Sequence, residues 1–336
     1  MTIMNKQDYF RLFASCINVR GAKEAIIMDI QSQRWLTIPL LMSDILVANE
    51  ANVTITCLKK KFSNKYNKGI DRYFQFFVEN EYGFYTDTPE LFPPLKFSFQ
   101  TPFRLLSAVI CFSNESKYDI KDVIRQLTSL NCQIVHILVE RTNQYPQLFE
   151  ALNGFRYSTT KRVDIFSPYN EGIMNFLDNY KTADRRIFIN IIGNSEPHIQ
   201  CNPYLTLIHH IKGIWTKYPQ EIIKKNNFVC NFSHYEEALT HNVGLNRKIT
   251  IDYNGDLKNF YSHSLIFGNV IDMPISDVID NKLFQIKWDI SNDHIRKCKD
   301  CQYRYMCLSN SDLNYENGMY EKKDNCQFDP YSNKWE

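Results

Sequence analysis

Hydrophobic and polar residues follow two different periods within the first 95 residues. Between residues 17 and 38, apolar positions such as Ile26 and Met28 alternate with their neighbours ahead of the polar turn IQSQR. An alternation with period two is typical of a strand, so these residues predict a hairpin of two β-rich runs. In NKGIDRYFQFFVEN the apolar residues recur at i, i+3, i+4 and i+7, which predicts an amphipathic helix, and a short returning strand follows it.

The segment PELFPPL, residues 89–95, ends both patterns with three prolines. Proline lacks a backbone N–H and fixes φ, so it interrupts helices and strands alike. We therefore expect a domain boundary here. The predicted division is a small module over residues 1–95, an α/β domain over residues 96–225 and a C-terminal domain over residues 226–336.

Strand and helix patterns alternate beyond this boundary. The segments follow one another in the order LSAVICFS, YDIKDVIRQLTSL, CQIVHILVE, YPQLFEALNGF, RVDIFSP, EGIMNFLDNY and RRIFINIIG. The strand segments read as apolar on both faces, which is typical of parallel strands covered by helices. The fold class is therefore predicted as α/β, with a partial (β/α) barrel or an open sheet as its architecture. Further along, KITIDYNGDL predicts strand residues that run into an Asn-Gly turn.

Composition places the chain among globular proteins and argues against two classes of partner. Hydrophobic residues make up 44% and aromatic residues 14%, while 39 Lys and Arg residues against 37 Asp and Glu residues leave a formal net charge of +2. Such a balance lacks the overall basic charge typical of proteins that bind nucleic acid or an anionic membrane. No segment has the pattern of a secretion signal or approaches the roughly 18 apolar residues of a membrane span, so we expect a cytoplasmic protein.

The ten cysteines of a chain expected in the cytoplasm favour metal binding or catalysis over disulfides. Four of them, Cys298, Cys301, Cys307 and Cys326, form a C-x2-C-x5-C-x18-C set. Four thiolates satisfy either a tetrahedral Zn²⁺ or an iron–sulfur cluster, and four reduced structural cysteines are the alternative to both. Three flanking basic residues are expected to offset the negative charge of the ligands: Lys297, Lys299 and Arg304.

The last part of the chain resembles a known family. The segments IDYNGDLKN, FGNV, CKDCQYRYMC and CQFDPYSNKW follow one another as in the SPASM domain, the C-terminal extension of radical SAM peptide-modifying enzymes. More narrowly, they resemble the SPASM-type maturases paired with an ATP-grasp enzyme, the grasp-with-spasm peptide systems. The resemblance covers roughly residues 96–336 and is strong only over residues 245–336.

This resemblance implies a cofactor and partners. The cofactor is one auxiliary [4Fe–4S] cluster held by Cys298, Cys301, Cys307 and Cys326. The partners are a ribosomally made precursor peptide and an ATP-grasp enzyme, and neither nucleic acid nor a membrane is expected.

The chain departs from the family at the radical centre. That centre needs C-x3-C-x2-C after the first barrel strand, whereas the first six cysteines here are never closer than 21 residues. Cys111 ends the first barrel-like strand without a companion, so we expect it in the core. The resemblance thus implies a radical-SAM-type barrel without its radical centre, and no binding of S-adenosylmethionine is expected.

A second auxiliary cluster of the full SPASM domain is missing as well. Its ligands would fall near His241, near Phe260 and at Ser311, and none of these residues is a cysteine. We therefore expect one cluster per chain.

The module over residues 1–95 is similar in its order of elements to winged-helix elements that recognise leader peptides. Such elements add the peptide as a strand to an exposed sheet edge, and the alternative is a small domain with a structural role only. The function predicted is a component of a ribosomal peptide maturation system that binds precursor peptide and acts with an ATP-grasp partner. The alternative is a non-catalytic, zinc-stabilised binding scaffold, and no catalytic residue is assigned.

Overall fold

A computed structural model describes residues 8–49, 53–140, 143–181, 184–203, 206–213, 228–324 and 326–335. These residues form a mixed α/β structure, which confirms the predicted fold class. No helix among them is long and apolar enough to cross a membrane.

The first part of the chain contains two small antiparallel sheets and a group of helices. Its elements are β1 (Tyr9–Leu12), β2 (Cys16–Arg20), β3 (Glu24–Asp29), β4 (Arg34–Pro39), α1 (Leu40–Asn49), α2 (Ile55–Lys61), α3 (Asn67–Glu79) and β5 (Gly83–Thr86). Strands β2, β3 and β4 pair in that order, and β1 pairs with β5. The predicted helix is confirmed as α3, which buries Ile70, Phe74 and Phe77.

The predicted hairpin of two runs is a meander of three strands. The turn between β3 and β4 lies where IQSQR predicts it, but the first run is itself divided at Gly21 into β2 and β3. A Cβ at Gly21 would lie 2.6 Å from Gln302 Oε1 and 2.8 Å from the Glu24 carbonyl oxygen. Glycine is thus required because this turn packs tightly against a residue close to the thiols near the end of the chain.

Both faces of the β2-β3-β4 sheet are buried, and each faces a different part of the protein. Ala25 and Ile27 pack with residues of α1, α2 and α3. Ile26 and Met28, which point to the opposite face, pack with residues of the C-terminal region. The N-terminal and C-terminal regions therefore share a hydrophobic core.

The central sheet contains eight strands. Its strands and the helices between them are β6 (Ser107–Phe112), α4 (Ile120–Ser129), β7 (Ile134–Val139), α5 (Tyr145–Ala151), β8 (Arg162–Pro168), α6 (Glu171–Asp178), β9 (Ile187–Gly193), β10 (His198–Cys201), β11 (Leu207–Lys212), α7 (Phe232–Ala238), β12 (Lys248–Ile251) and β13 (Leu257–Lys258). The strand order is β10-β11-β9-β8-β7-β6-β12-β13, parallel except for the outermost strand at each end. Among the described strands, β10 and β13 pair on one side only, so the sheet is open.

At β7 and β8, one face of this sheet is apolar and the other carries charged residues. Val135, Ile137 and Val139 of β7 pack with the helices in the main core. On the opposite face, Arg162 Nε lies 2.7 Å and His136 Nδ1 lies 3.6 Å from Asp164 Oδ2. The prediction that the strands are apolar on both faces is therefore wrong for β7 and β8.

The C-terminal region consists of short elements. They are α8 (Ile275–Asp280), α9 (Lys282–Gln285), β14 (Leu313–Glu316), β15 (Met319–Lys322), β16 (Phe328–Asp329) and β17 (Lys334–Trp335). The predicted Asn-Gly turn joins β12 to β13, with Gly255 at a φ of +90. This region holds the four clustered cysteines.

Candidate functional site

The first two cysteines of the set are placed by a tight turn. Cys298 starts a 3₁₀ turn that ends at Asp300, and the Cys301 N–H donates a hydrogen bond of 3.0 Å to the Cys298 carbonyl oxygen. The Tyr303 N–H lies 3.4 Å from Cys301 Sγ and donates to it. A backbone N–H that points at sulfur stabilises the thiolate form, as the C-x2-C spacing predicts.

A hairpin of the C-terminal region brings a lysine to the cysteines. Strands β14 and β15 pair through an Asn317-Gly318 turn, and the Arg296 N–H donates to the Tyr320 carbonyl oxygen at 2.7 Å. This pairing lays β15 beside the chain that leads into Cys298. At the end of β15, Lys322 Nζ lies 4.0 Å from Cys307 Sγ.

The pKa shifts of Cys301, Cys307 and Lys322 show that these three groups lie within electrostatic reach of one another and of the other two cysteines. Burial raises the pKa of Cys301, and negative charge on the other three cysteines raises it further. Burial also raises the pKa of Cys307, while the ammonium of Lys322 opposes that rise. We refer to the four cysteines and Lys322 as the thiol centre: Cys298, Cys301, Cys307, Cys326 and Lys322.

The charge of Lys322 bears on whether the thiol centre can bind a metal, because a buried ammonium needs negative charge beside it. Burial alone would lower the pKa of Lys322, but the four cysteines together raise it above its usual value. The thiols can supply negative charge to the ammonium only as thiolates, whereas burial by itself favours the protonated form of Cys301 and Cys307. A desolvated ammonium beside four neutral thiols would lack a countercharge, which is unfavourable. A metal ion or cluster keeps thiols deprotonated, so the charges of the thiol centre fit a bound metal.

The charges of the thiol centre fit a metal, but the positions of its side chains do not form a metal site in advance. In the described part of the chain, no group of three or more His, Cys, Asp or Glu side chains is arranged to hold a metal ion. The free energy of binding a structural metal includes the ordering of its ligands, so the thiol centre can accept a metal without a preformed site.

The cation that contacts the sulfurs was not among those expected from the sequence. Arg304 Nε binds Asp293 at 2.7 Å, and its Nη1 donates to the Arg20 carbonyl oxygen at 2.8 Å. Lys299 is exposed, and Lys297 is half-buried. The position of Lys322 could have been predicted from the stretch YENGMYEK. An Asn-Gly turn between alternating residues is typical of a hairpin, and this hairpin returns the chain toward the cysteines.

A second charged cluster lies near positions where the resemblance would place a second metal cluster. Asp312 accepts hydrogen bonds from Lys287 Nζ at 2.5 Å and Lys323 Nζ at 2.7 Å, and its Oδ1 lies 3.7 Å from His263 Nδ1. We refer to Asp312, His263, Lys287 and Lys323 as the Asp312 network. Ser311 donates through its hydroxyl to the Asp312 carbonyl oxygen, and Phe260 packs edge-on against His263.

The sequence also singled out His241 and Cys111, and both contact only other residues of the fold. His241 Nδ1 lies 2.7 Å from the Thr240 hydroxyl, and its Nε2 lies 3.6 Å from Asp289. Cys111 is fully buried at the end of β6, where burial raises the pKa of its thiol. The prediction that Cys111 belongs to the core is confirmed.

An apolar cleft lies beside the free edge of β2. The cleft has a volume of about 760 Å³ and is bounded by β1, β2, α1 and the segment that carries the prolines. Its apolar lining includes Leu12, Ile17, Leu46, Phe84, Leu91 and Phe92. No described strand pairs with the outer edge of β2, although the Cys16 N–H donates to the Phe13 carbonyl oxygen and the Arg20 carbonyl oxygen accepts from Arg304. An extended peptide could therefore pair with the middle of this strand.

Comparison with known proteins places the chain in no family. No protein-family model matches it, and a search among curated proteins gives no match either.

Proposed function

We propose that this protein is a component of a ribosomal peptide maturation system, in which it binds precursor peptide and carries one [4Fe–4S] cluster on Cys298, Cys301, Cys307 and Cys326. The observation that carries the proposal is the position of Lys322, whose ammonium lies 4.0 Å from Cys307 Sγ at the end of a hairpin that packs beside the C-x2-C turn. The resemblance of residues 245–336 to the grasp-with-spasm maturases supports an iron–sulfur cluster over zinc.

The residues of this chain have defined tasks in such a system. When bound, the cluster supplies a centre for one-electron transfer or a structural link. The four cysteines hold it, and the Tyr303 N–H stabilises the Cys301 thiolate. Bond formation at a carboxyl group belongs to the ATP-grasp partner, which activates that group as an acyl phosphate. The open α/β sheet is then a partial barrel of the radical SAM type that lacks the radical centre.

The cleft beside β2 is the site proposed for the precursor peptide. An extended segment that pairs with the edge of β2 gains main-chain hydrogen bonds, while its apolar side chains enter the space between β2 and α1. Leu91 and Phe92 line the cleft and are exposed, with 68% and 44% of their surface accessible. Exposed apolar side chains beside an unpaired strand edge favour an apolar, extended partner.

A zinc-stabilised binding scaffold is the second candidate, because four thiolates around Zn²⁺ would provide the same countercharge for Lys322. Anaerobic reconstitution separates the two. We expect a brown protein with broad absorbance near roughly 400 nm and about four irons per chain. A colourless protein with a single zinc would establish the scaffold, and about eight irons would show that a second cluster exists.

Peptide binding is tested at the edge of the cleft. Leu91→Ala should weaken binding of the precursor peptide encoded beside this protein by about tenfold in fluorescence anisotropy, since burying one leucine contributes roughly 1.5 kcal/mol or more. Leu265→Ala is the matched control, because Leu265 is also exposed, at 52%, and does not line the cleft. Equal affinity for both variants would place the peptide elsewhere. A proline inserted in the paired peptide segment should weaken binding more than single side-chain changes do, because it removes a main-chain donor.

A further inference from the structure

The position of Lys322 is fixed by contacts of the residues before and after it in the chain. It is the last residue of β15, and the backbone of Tyr320, two residues earlier, is held by the Arg296 N–H at 2.7 Å. The next residue, Lys323, binds Asp312 through its side chain at 2.7 Å. Because successive side chains of an extended chain point to opposite sides, this anchoring directs Lys322 to the sulfurs.

The surroundings of Lys322 differ from those of an ordinary surface lysine. Its side chain is only partly exposed, and its ammonium lies 4.0 Å from Cys307 Sγ. Lysines nearby are paired with carboxylates, as Lys287 and Lys323 are with Asp312. The Arg304 guanidinium also contacts a proposed ligand, but through the Cys301 carbonyl oxygen, and it is paired with Asp293. The Lys322 ammonium is thus a positive charge held beside a ligand sulfur by residues that are not ligands themselves.

We propose that Lys322 is a positioning residue that raises the reduction potential of the [4Fe–4S] cluster. This inference rests on the proposed function, since it requires iron–sulfur ligation by the four cysteines. A bound cluster that takes one electron from a one-electron donor, dithionite in the titration below, would change with its four thiolates from a doubly to a triply negative unit. The ammonium stabilises the more negative state more strongly, so reduction becomes easier.

Neutral and charged replacements of Lys322 test the inference by redox titration of the reconstituted protein, followed by electron paramagnetic resonance of the reduced cluster. At a fixed potential, Lys322→Met should lower the ratio of reduced to oxidised cluster at least tenfold, which corresponds to 59 mV for one electron. Lys322→Arg, which keeps the charge, should restore most of the potential. Lys323→Met is the matched control, because it removes the neighbouring charge on the opposite side of the chain, and it should shift the potential much less.

The outcomes separate this inference from the proposed function. Zinc or no metal in the unaltered protein would refute the proposed function and this inference with it. Normal iron content with equal potentials in Lys322→Met and the unaltered protein would overturn the inference alone. If Lys322→Met and Lys322→Gln lose iron and Lys322→Arg keeps it, the charge is required even for retention of the cluster, which supports the inference. Loss of iron from all three variants would show that the shape of the lysine matters and not its charge.

Discussion

Two charged centres meet at the end of β15, and they balance their charge in opposite ways. In the Asp312 network, one carboxylate is surrounded by two ammonium groups and one imidazole, so the protein itself supplies both signs of charge. In the thiol centre, one ammonium lies 4.0 Å from Cys307 Sγ, and the four cysteines that influence it are neutral unless they lose their protons. The first centre is complete in the folded chain, whereas the second balances its charge only if thiols are deprotonated, as the proposed cluster would keep them.

The largest expected effect concerns the thiol centre. Cys301→Ala combined with Cys307→Ala should abolish metal binding and increase hydrogen exchange after about residue 285, because metal binding and local folding are coupled. The central sheet should keep its protection, since its core is formed by other residues. Metal analysis and hydrogen exchange by mass spectrometry measure both effects.

Cys57→Ala is the control for this double variant, because Cys57 is exposed and far from the set in sequence. If the double variant kept its metal, the four cysteines would not be the ligands. If it lost the metal with unchanged exchange, the thiol centre would not organise the C-terminal region.

The Asp312 network should respond to removal of its carboxylate. Asp312→Ala leaves Lys287 and Lys323 without their partner and should lower the free energy of unfolding by about 3–5 kcal/mol in urea denaturation. Asp280→Ala is the control, because Asp280 is 65% exposed and pairs with Arg104 at the surface, where an ion pair contributes about 1 kcal/mol or less. Similar losses in the two variants would mean that the network is no stronger than a surface ion pair.

Acid should weaken the Asp312 network in a defined pH range. Burial alone would raise the pKa of Asp312, but the hydrogen bonds from Lys287 and Lys323 lower it from 3.8 to about 2. The carboxylate therefore contributes stability that is fully present above about pH 4 and is lost as the pH falls toward 2. The stability difference between the unaltered protein and Asp312→Ala should shrink by about 2 kcal/mol across this range. A constant difference would show that the pKa of Asp312 is not lowered.

The smallest expected effect tests how the N-terminal meander supports the thiol centre. Gly21→Ala would place a Cβ 2.8 Å from the Glu24 carbonyl oxygen and 2.9 Å from the Gln302 backbone nitrogen. Relief of these contacts should cost about 1–2 kcal/mol of stability and speed the loss of metal to a chelator. Gly69→Ala in α3 is the control, since nothing lies within 4 Å of its added Cβ. Chelation rates that match in the two variants would separate the meander from the thiol centre.

The elements that the sequence predicted well are those whose pattern of apolar residues lies within the element itself. Strands β6 and β9 and helix α4 were found because continuous apolar runs and helical spacing reflect burial against immediate neighbours. Strand β14 was missed because it is mostly exposed and polar, and its pairing depends on a turn. His136 and Asp164 were missed because their contact joins two strands that only the sheet register brings together.

For the candidate site, the sequence predicted the thiols and missed their environment. The spacing of Cys298, Cys301 and Cys307 is local and visible in the sequence. Lys322 lies 15 residues beyond Cys307, and its approach depends on a hairpin and on the pairing of Arg296 with Tyr320. Gly21 and Gln302 are even farther apart, so no pattern along the chain predicts their contact.

The core shared by the two ends of the chain also constrains the order of synthesis. Ile26 and Met28 emerge from the ribosome well before the residues that cover them, which include Tyr303, Met306 and Phe328 and follow about 275–300 residues later. At roughly 5–20 residues per second, an apolar sheet face waits roughly 15 seconds to a minute for its cover. During that time the nascent chain exposes an apolar sheet face, and transiently exposed apolar surface favours aggregation.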